Sequence, residues 1–223
     1  MKGIVFSLSK PRRRRFSLGI PDGSLPRLIR QNAAVLGFVL LLLSGLAVGA
    51  VYCRGASEEF ISSLDFLFTT NLEARLSHSA LATFCACFAS DFLFLAAVYL
   101  FGCAPWGLPF ELFAVFFKGF GTGITAAYLF RSYKLSGAGF YLLVLLPGTF
   151  LFCVALVRFA SSAFYFSTQS FLSAVSKSAP QYSPRERLKV YSTRFLYALI
   201  SALVASLLDT LLWSLFAGTF HIG

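Results

Sequence analysis

The stretch FFKGFGTGITAAYLFRSYKLSGAGFYLLVLLP, Phe116 to Pro147, sets an apolar run, a short polar turn and a second apolar run end to end. In the first run Gly119 and Gly123 stand four apart, hence on one face of a helix. In lipid, two small residues at that spacing let a neighbouring helix backbone come close. The turn is RSYKLSG, Arg131 to Gly137, and the second run climbs to Pro147-Gly148. Proline removes a backbone donor and crowds the preceding turn, so a kink or break is expected near Pro147. An interrupted helix persists in a membrane only when packed against protein. The stretch therefore predicts an all-α, polytopic transmembrane helix bundle with one helix broken near Pro147, rather than a simple anchor.

Composition agrees. Of 223 residues, 57% are hydrophobic and 13% charged, and the mean hydropathy is +0.76. A soluble domain carries about 25% charged residues, and here the apolar residues come in long blocks. One membrane domain is expected over 33–220, preceded by a basic cytoplasmic tail over 1–32. The net charge of +10 raises nucleic acid as a partner, but its positions argue against that. Basic residues gather in the tail (Lys2, Lys10, Arg12 to Arg15, Arg27, Arg30) and around Lys177, Arg185, Arg187, Lys189 and Arg194. Both groups flank apolar spans, as the positive-inside rule expects.

In the tail, RRRRFS (Arg12 to Ser17) resembles a twin-arginine export signal. The following block, Ala33 to Tyr52, is nearer a full span of about 20 residues than a signal core of about 7–15. It carries a second small-residue pair, Gly45 and Gly49. Arg54 to His78 is an acidic loop with Glu58, Glu59, Asp65 and Glu73, fitting the outer side. Further spans are expected over Ala80–Phe101, Phe110–Phe130 and Phe195–Phe216, with the turn GCAPWGLP (Gly102 to Pro109) between the first two. The apolar segment from Leu135 to Val175 is divided at Pro147-Gly148, and a basic loop follows from Lys177 to Lys189, with Pro180 and Pro184 as breakers. Counting five crossings puts the N-terminus inside, the C-terminus outside and both basic groups inside; Arg131 and Lys134 run against that trend. Counting the divided segment as two crossings gives six and puts the basic loop outside.

Five charged residues fall in or near apolar blocks: Asp91, Glu111, Lys118, Arg158 and Asp209. Intramembrane charges face a bundle interior or water. Glu111 and Lys118, seven apart, share a helix face. One reading is a proton or ion path; the other is charges that pair or snorkel and hold the bundle together. The five cysteines, with Cys85 and Cys87 on different sides of one helix, read as small apolar packers. The two histidines, His78 and His221, fit no zinc-ligand spacing, and KGFGTG (Lys118 to Gly123) lacks the closing lysine of a phosphate loop. No metal, cofactor or catalytic residue is expected.

Taken together, these features resemble the stage II sporulation protein M family. The resemblance rests on FFKGFGTG (Phe116 to Gly123), Leu135-Ser136-Gly137 in the turn, Leu145-Leu146-Pro147 and the order of spans, and covers about Ala33 to Phe220. Many relatives carry a histidine and a downstream glutamate after the equivalent proline, whereas Gly148, Thr149 and Phe150 follow Pro147 here; the sporulation branch often lacks that polar feature too. The resemblance implies a non-catalytic scaffold in the mother-cell membrane at the septum. Such a scaffold would hold two peptidoglycan-degrading proteins during forespore engulfment. Its expected partners are membrane lipid and those two cell-wall hydrolases, with a homo-oligomer as a further option. A small transporter or permease component is the alternative, because half-helices and buried charges line transport sites.

The charge pattern predicts the topology. In a chain whose native cysteines are replaced, Phe60→Cys and Phe220→Cys should react with an impermeant thiol reagent added outside, and Tyr182→Cys should not. Labelling at position 182 in intact cells would reject five spans.

Overall fold

The backbone of a chain in lipid must satisfy its polar groups internally, and this one does so with helices. The computed structural model describes residues 32–55, 79–175 and 184–216. Its helices, all within one compact unit that begins at Ala33, are α1 (Ala33–Tyr52), α2 (Ala80–Cys103), α3 (Leu108–Phe140), α4 (Leu146–Val175) and α5 (Pro184–Phe216). A π-helical segment, Tyr141–Leu145, joins α3 to α4. Local sequence sets several ends. The Ser79 side chain caps α2 by accepting from the Ala82 amide at 3.3 Å, and Pro109 falls in the first turn of α3. Proline is pre-organised there because its missing donor would be unpaired anyway.

By length and composition, four uninterrupted stretches are apolar enough to cross a membrane, the third being Leu108–Leu172. That third stretch doubles back. Lys134 has φ 50° and ψ −127°, the conformation that a type II′ turn asks of its first central residue, where glycine is usual. Beyond it Gly137 packs on the Leu129 carbonyl, and Lys118 Nζ lies 4.6 Å from the Phe152 ring centroid. In a straight helix Lys118 and Phe152 would stand roughly 50 Å apart. The structure therefore has five passes. The turn expected between Arg131 and Gly137 is the point of reversal.

The neighbours of each pass fix its direction. α1 runs parallel to the first arm of α3, with Gly119 on Leu42 and Gly123 on Leu46. α2 runs antiparallel to α5, as Cys87 meets Asp209 and Tyr99 meets Ser192. One end of the bundle thus collects Ala33, Cys103, Leu108, Leu172 and Arg185. The other collects Tyr52, Ser79, the Lys134 turn and Phe216, where Arg131 Nη1 donates to the Cys53 carbonyl at 3.3 Å.

Three expectations take a different form. The interruption near Pro147 is the π segment just upstream, in which the Leu146 amide donates to the Tyr141 carbonyl; Pro147 itself stays helical. A widened turn relieves the clash that a proline ring makes with the carbonyl four residues back. Pro184 opens α5 instead of merely ending a loop, so the basic residues from Arg185 to Arg194 are helical. The six-crossing count fails because Leu146–Val175 continues as one helix. The tail, the acidic residues from Glu58 to Glu73, both histidines, Lys177 and Pro180 lie outside the described residues.

The main core joins all five helices through Phe38, Leu95, Val115, Phe152, Leu156 and Ala202. The tightest contact is glycine-lined. A Cβ on Gly45 would overlap the Phe116 carbonyl, and one on Gly49 the Phe120 carbonyl; on Gly119 and Gly123 it would overlap the carbonyls of Leu42 and Leu46. The two small-residue pairs read from the sequence are thus opposite sides of one interface. Replacing both Gly119 and Gly123 with leucine should unseat α1, at about 1–3 kcal/mol or more per site. Oxidative cross-linking of native Cys53 to Ile124→Cys, which pack together in the parent fold, should be lost. A leucine double variant that accumulates and cross-links like its parent would show that the close approach is dispensable.

Candidate functional site

Where α2, α3, the π segment, α4 and α5 converge, the bundle holds a cavity of about 60 Å³ lined mostly by polar residues. Each helix delivers its polar groups at helical spacing. Cys87 and Asp91 are one turn apart on α2, as are Lys118 and Thr122 on α3; Ser206 and Asp209 share a face of α5. Lys118 Nζ donates to Asp91 Oδ1 at 2.8 Å, with the two side chains 9% and 13% exposed. The same ammonium lies over the Phe94 ring at 4.9 Å and the Phe152 ring at 4.6 Å, which adds cation–π stabilisation in a desolvated place. Across the cavity Cys87 Sγ donates to Asp209 Oδ2 at 3.2 Å.

The surrounding hydroxyls are oriented by their own helices. Thr122 donates to the Lys118 carbonyl at 2.9 Å, Thr125 to the Gly121 carbonyl at 3.0 Å and Ser206 to the Ala202 carbonyl at 3.0 Å. Donating backwards fixes each hydroxyl hydrogen and leaves oxygen lone pairs for the cavity. The π segment supplies Tyr141 and Leu145 to the wall, and Gly148 supplies a close approach to α5, since a Cβ there would lie 2.9 Å from the Ala205 carbonyl. A single π turn inside a helix often marks a functional place. The volume admits a few waters or one small cation, and nothing the size of a sugar or peptide.

Of the five charged residues singled out, three meet here: Asp91, Lys118 and Asp209. Lys118 is buried and does not snorkel, and its partner is Asp91, not Glu111. Glu111 is fully buried in the first turn of α3, and neither carboxyl oxygen has a hydrogen-bond partner; the positive end of the helix dipole favours an acid there. Arg158 is exposed on α4, away from the polar centre. Cys87 departs from the apolar-packer reading by donating to a carboxylate. Its four-residue spacing from Asp91 is the signal that places it. Thr122, Thr149 and Tyr141 had no such signal, because hydroxyls one turn from any residue are common in these spans.

The profile of the stage II sporulation protein M family matches residues 38–220. The chain belongs to the stage II sporulation protein M family. No curated protein and no solved structure matches it. The match covers most of the chain and all five passes except the start of α1, so the bundle just described is a sporulation-family membrane fold. In this family member, the glycine contact and the polar centre are both built on the first arm of α3, which carries Lys118, Gly119, Thr122 and Gly123 side by side.

The ion pair gives a stability prediction. Asp91→Leu alone strands a buried ammonium and should destabilise by about 3–5 kcal/mol. Asp91→Leu combined with Lys118→Met should recover most of that. Denaturation in mixed micelles, followed by circular dichroism, measures both. A single variant within about 1 kcal/mol of the parent would mean that the pair is solvated as a surface pair is.

Proposed function

We propose that the protein is a non-catalytic membrane scaffold of forespore engulfment. It sits in the mother-cell membrane at the septum, with its N-terminus in the cytoplasm and its C-terminus outside. There it anchors and localises two peptidoglycan-degrading proteins, which do the cutting. The observation that carries this reading is the family match across 38–220. Several features agree with it. The polar centre is too small to take a cell-wall fragment. Its charges are engaged in holding helices together, as Lys118 and Asp91 are. Contacts with partners would fall on the acidic segment Arg54 to His78, the turn at Arg131 to Gly137, and lipid-facing helix faces.

A second reading, a small permease for protons or a monovalent cation, is favoured by one observation: a polar cavity beside a π segment in the middle of the bundle. Larger solutes do not fit it.

Three assays separate the two readings. Purified from sporulating cells, the protein should bring down two cell-wall hydrolases. Purified alone, it should release no soluble fragments from isolated cell walls, because cleavage needs a positioned acid, base or metal-bound water. Reconstituted alone in proteoliposomes, it should pass neither protons nor Na⁺. Fragment release abolished by Glu58→Gln or Glu59→Gln would make it an enzyme. Ion flux abolished by Asp91→Asn would make it a permease.

A further inference from the structure

At the end of the bundle that holds Leu172 and Arg185, a cavity of about 350 Å³ lies between α4 and α5. Two arginines of α5, Arg187 and Arg194, line it; seven residues apart, they share a helix face. Arg194 Nη1 donates to Ser162 Oγ of α4 at 3.2 Å. Arg187 lies over the Phe166 ring at 5.5 Å, which orients its guanidinium plane. Its Nε and Nη2 are buried and have no hydrogen-bond partner. Those two nitrogens form the edge with which arginine grips a phosphate or carboxylate through two parallel bonds. Leaving such donors buried and unmet is costly, so the site is built for an anion that brings acceptors. The lining holds two arginines against one carboxylate, Glu186.

We infer that this cavity binds the phosphate of an anionic phospholipid headgroup. The choice of lipid over free phosphate follows from the walls. With Tyr165, Phe166, Val190 and Tyr191 among its walls, the cavity as a whole presents more apolar than polar surface, and a bare phosphate would leave that uncovered. Two of its lining residues, Tyr165 and Val190, are themselves 48% and 55% exposed and offer apolar surface suited to acyl chains. A basic pocket between helices at the membrane surface is where anionic headgroups are held. The bound lipid would touch both α4 and α5, whose side chains line the cavity together.

Native mass spectrometry of the full chain in detergent, titrated with phosphatidylglycerol or phosphatidylcholine, tests the site. One phosphatidylglycerol should stay bound under conditions that strip phosphatidylcholine. Arg187→Gln with Arg194→Gln should lower that retention roughly tenfold or more, and Arg158→Gln, on an exposed arginine elsewhere, should leave it unchanged. Equal retention of the two lipids, no loss in the double variant, or an equal loss in Arg158→Gln would overturn the inference. Excess sodium phosphate should not displace the lipid. If phosphate alone binds and protects the protein while the two lipids behave alike, the ligand is a free anion and the lipid assignment falls. Should the double variant fail to purify, a photoactivatable phosphatidylglycerol on the parent protein decides. Adducts on the peptides around Phe166 and Val190 support the site, and adducts confined to α1 overturn it.

Discussion

Inside a bilayer no hydrophobic force draws one apolar helix to another, so helices associate through what close contact gives them: dispersion, backbone approach and the occasional polar bond. Here that constraint is met first at α1 and the first arm of α3, where Gly45, Gly49, Gly119 and Gly123 each face a carbonyl of the opposite helix. Contact at that distance leaves no freedom in the rotation of α3 about its axis. Lys118 precedes Gly119, so once the glycine face is turned to α1 the lysine is turned towards α2 and α4. It then reaches Asp91 and sits between the Phe94 and Phe152 rings. The polar centre thus depends on the glycine contact, and both depend on a few consecutive positions of one helix.

The polar centre in turn shapes the second half of the chain. α4 and α5 must close over a buried ammonium, two carboxylates and several hydroxyls without leaving them unmet, since a stranded charge there is far more costly than a missing methyl group. The π segment before Pro147 and the small side of Gly148 shape that closure. The first widens the turn and brings Tyr141 to the wall; the second lets α5 come close enough for Asp209 to accept from Cys87. A proline that would weaken an isolated helix is tolerated because the neighbouring helices hold the segment in place.

Membership of the stage II sporulation protein M family gives this bundle its setting. The geometry fits a body whose interior, with its buried ion pair and glycine contact, holds the helices together. The basic cavity between α4 and α5 extends that view. It places a positively charged, half-apolar pocket at a bundle end, apart from the glycine contact and the polar centre.

The fold class was legible from residue order alone. Long apolar blocks have few structural options in lipid, and the turn from Arg131 to Gly137 breaks the longest of them where polar residues interrupt it. The small-residue pairs and the five charges were also visible, because glycine at four-residue spacing and charge inside a span are rare enough to notice. Which pair faces which, and which charge meets which, was not. Periodicity along one helix names a face but not the neighbour against it. Glu111 and Lys118 share a face by spacing, yet Lys118 turns to Asp91 on another helix, 27 positions away in sequence. Cys87 reads as an apolar packer until α5 brings Asp209 to it, 122 positions on. The place of Pro147 was legible and its consequence was not: a proline dictates that the backbone must depart from ideal α geometry, but whether it breaks, kinks or widens is decided by the helices packed around it. Those pairings exist only once five passes are stacked, because contacts across helices are set by rotation and depth in the bundle, two quantities that no single segment encodes.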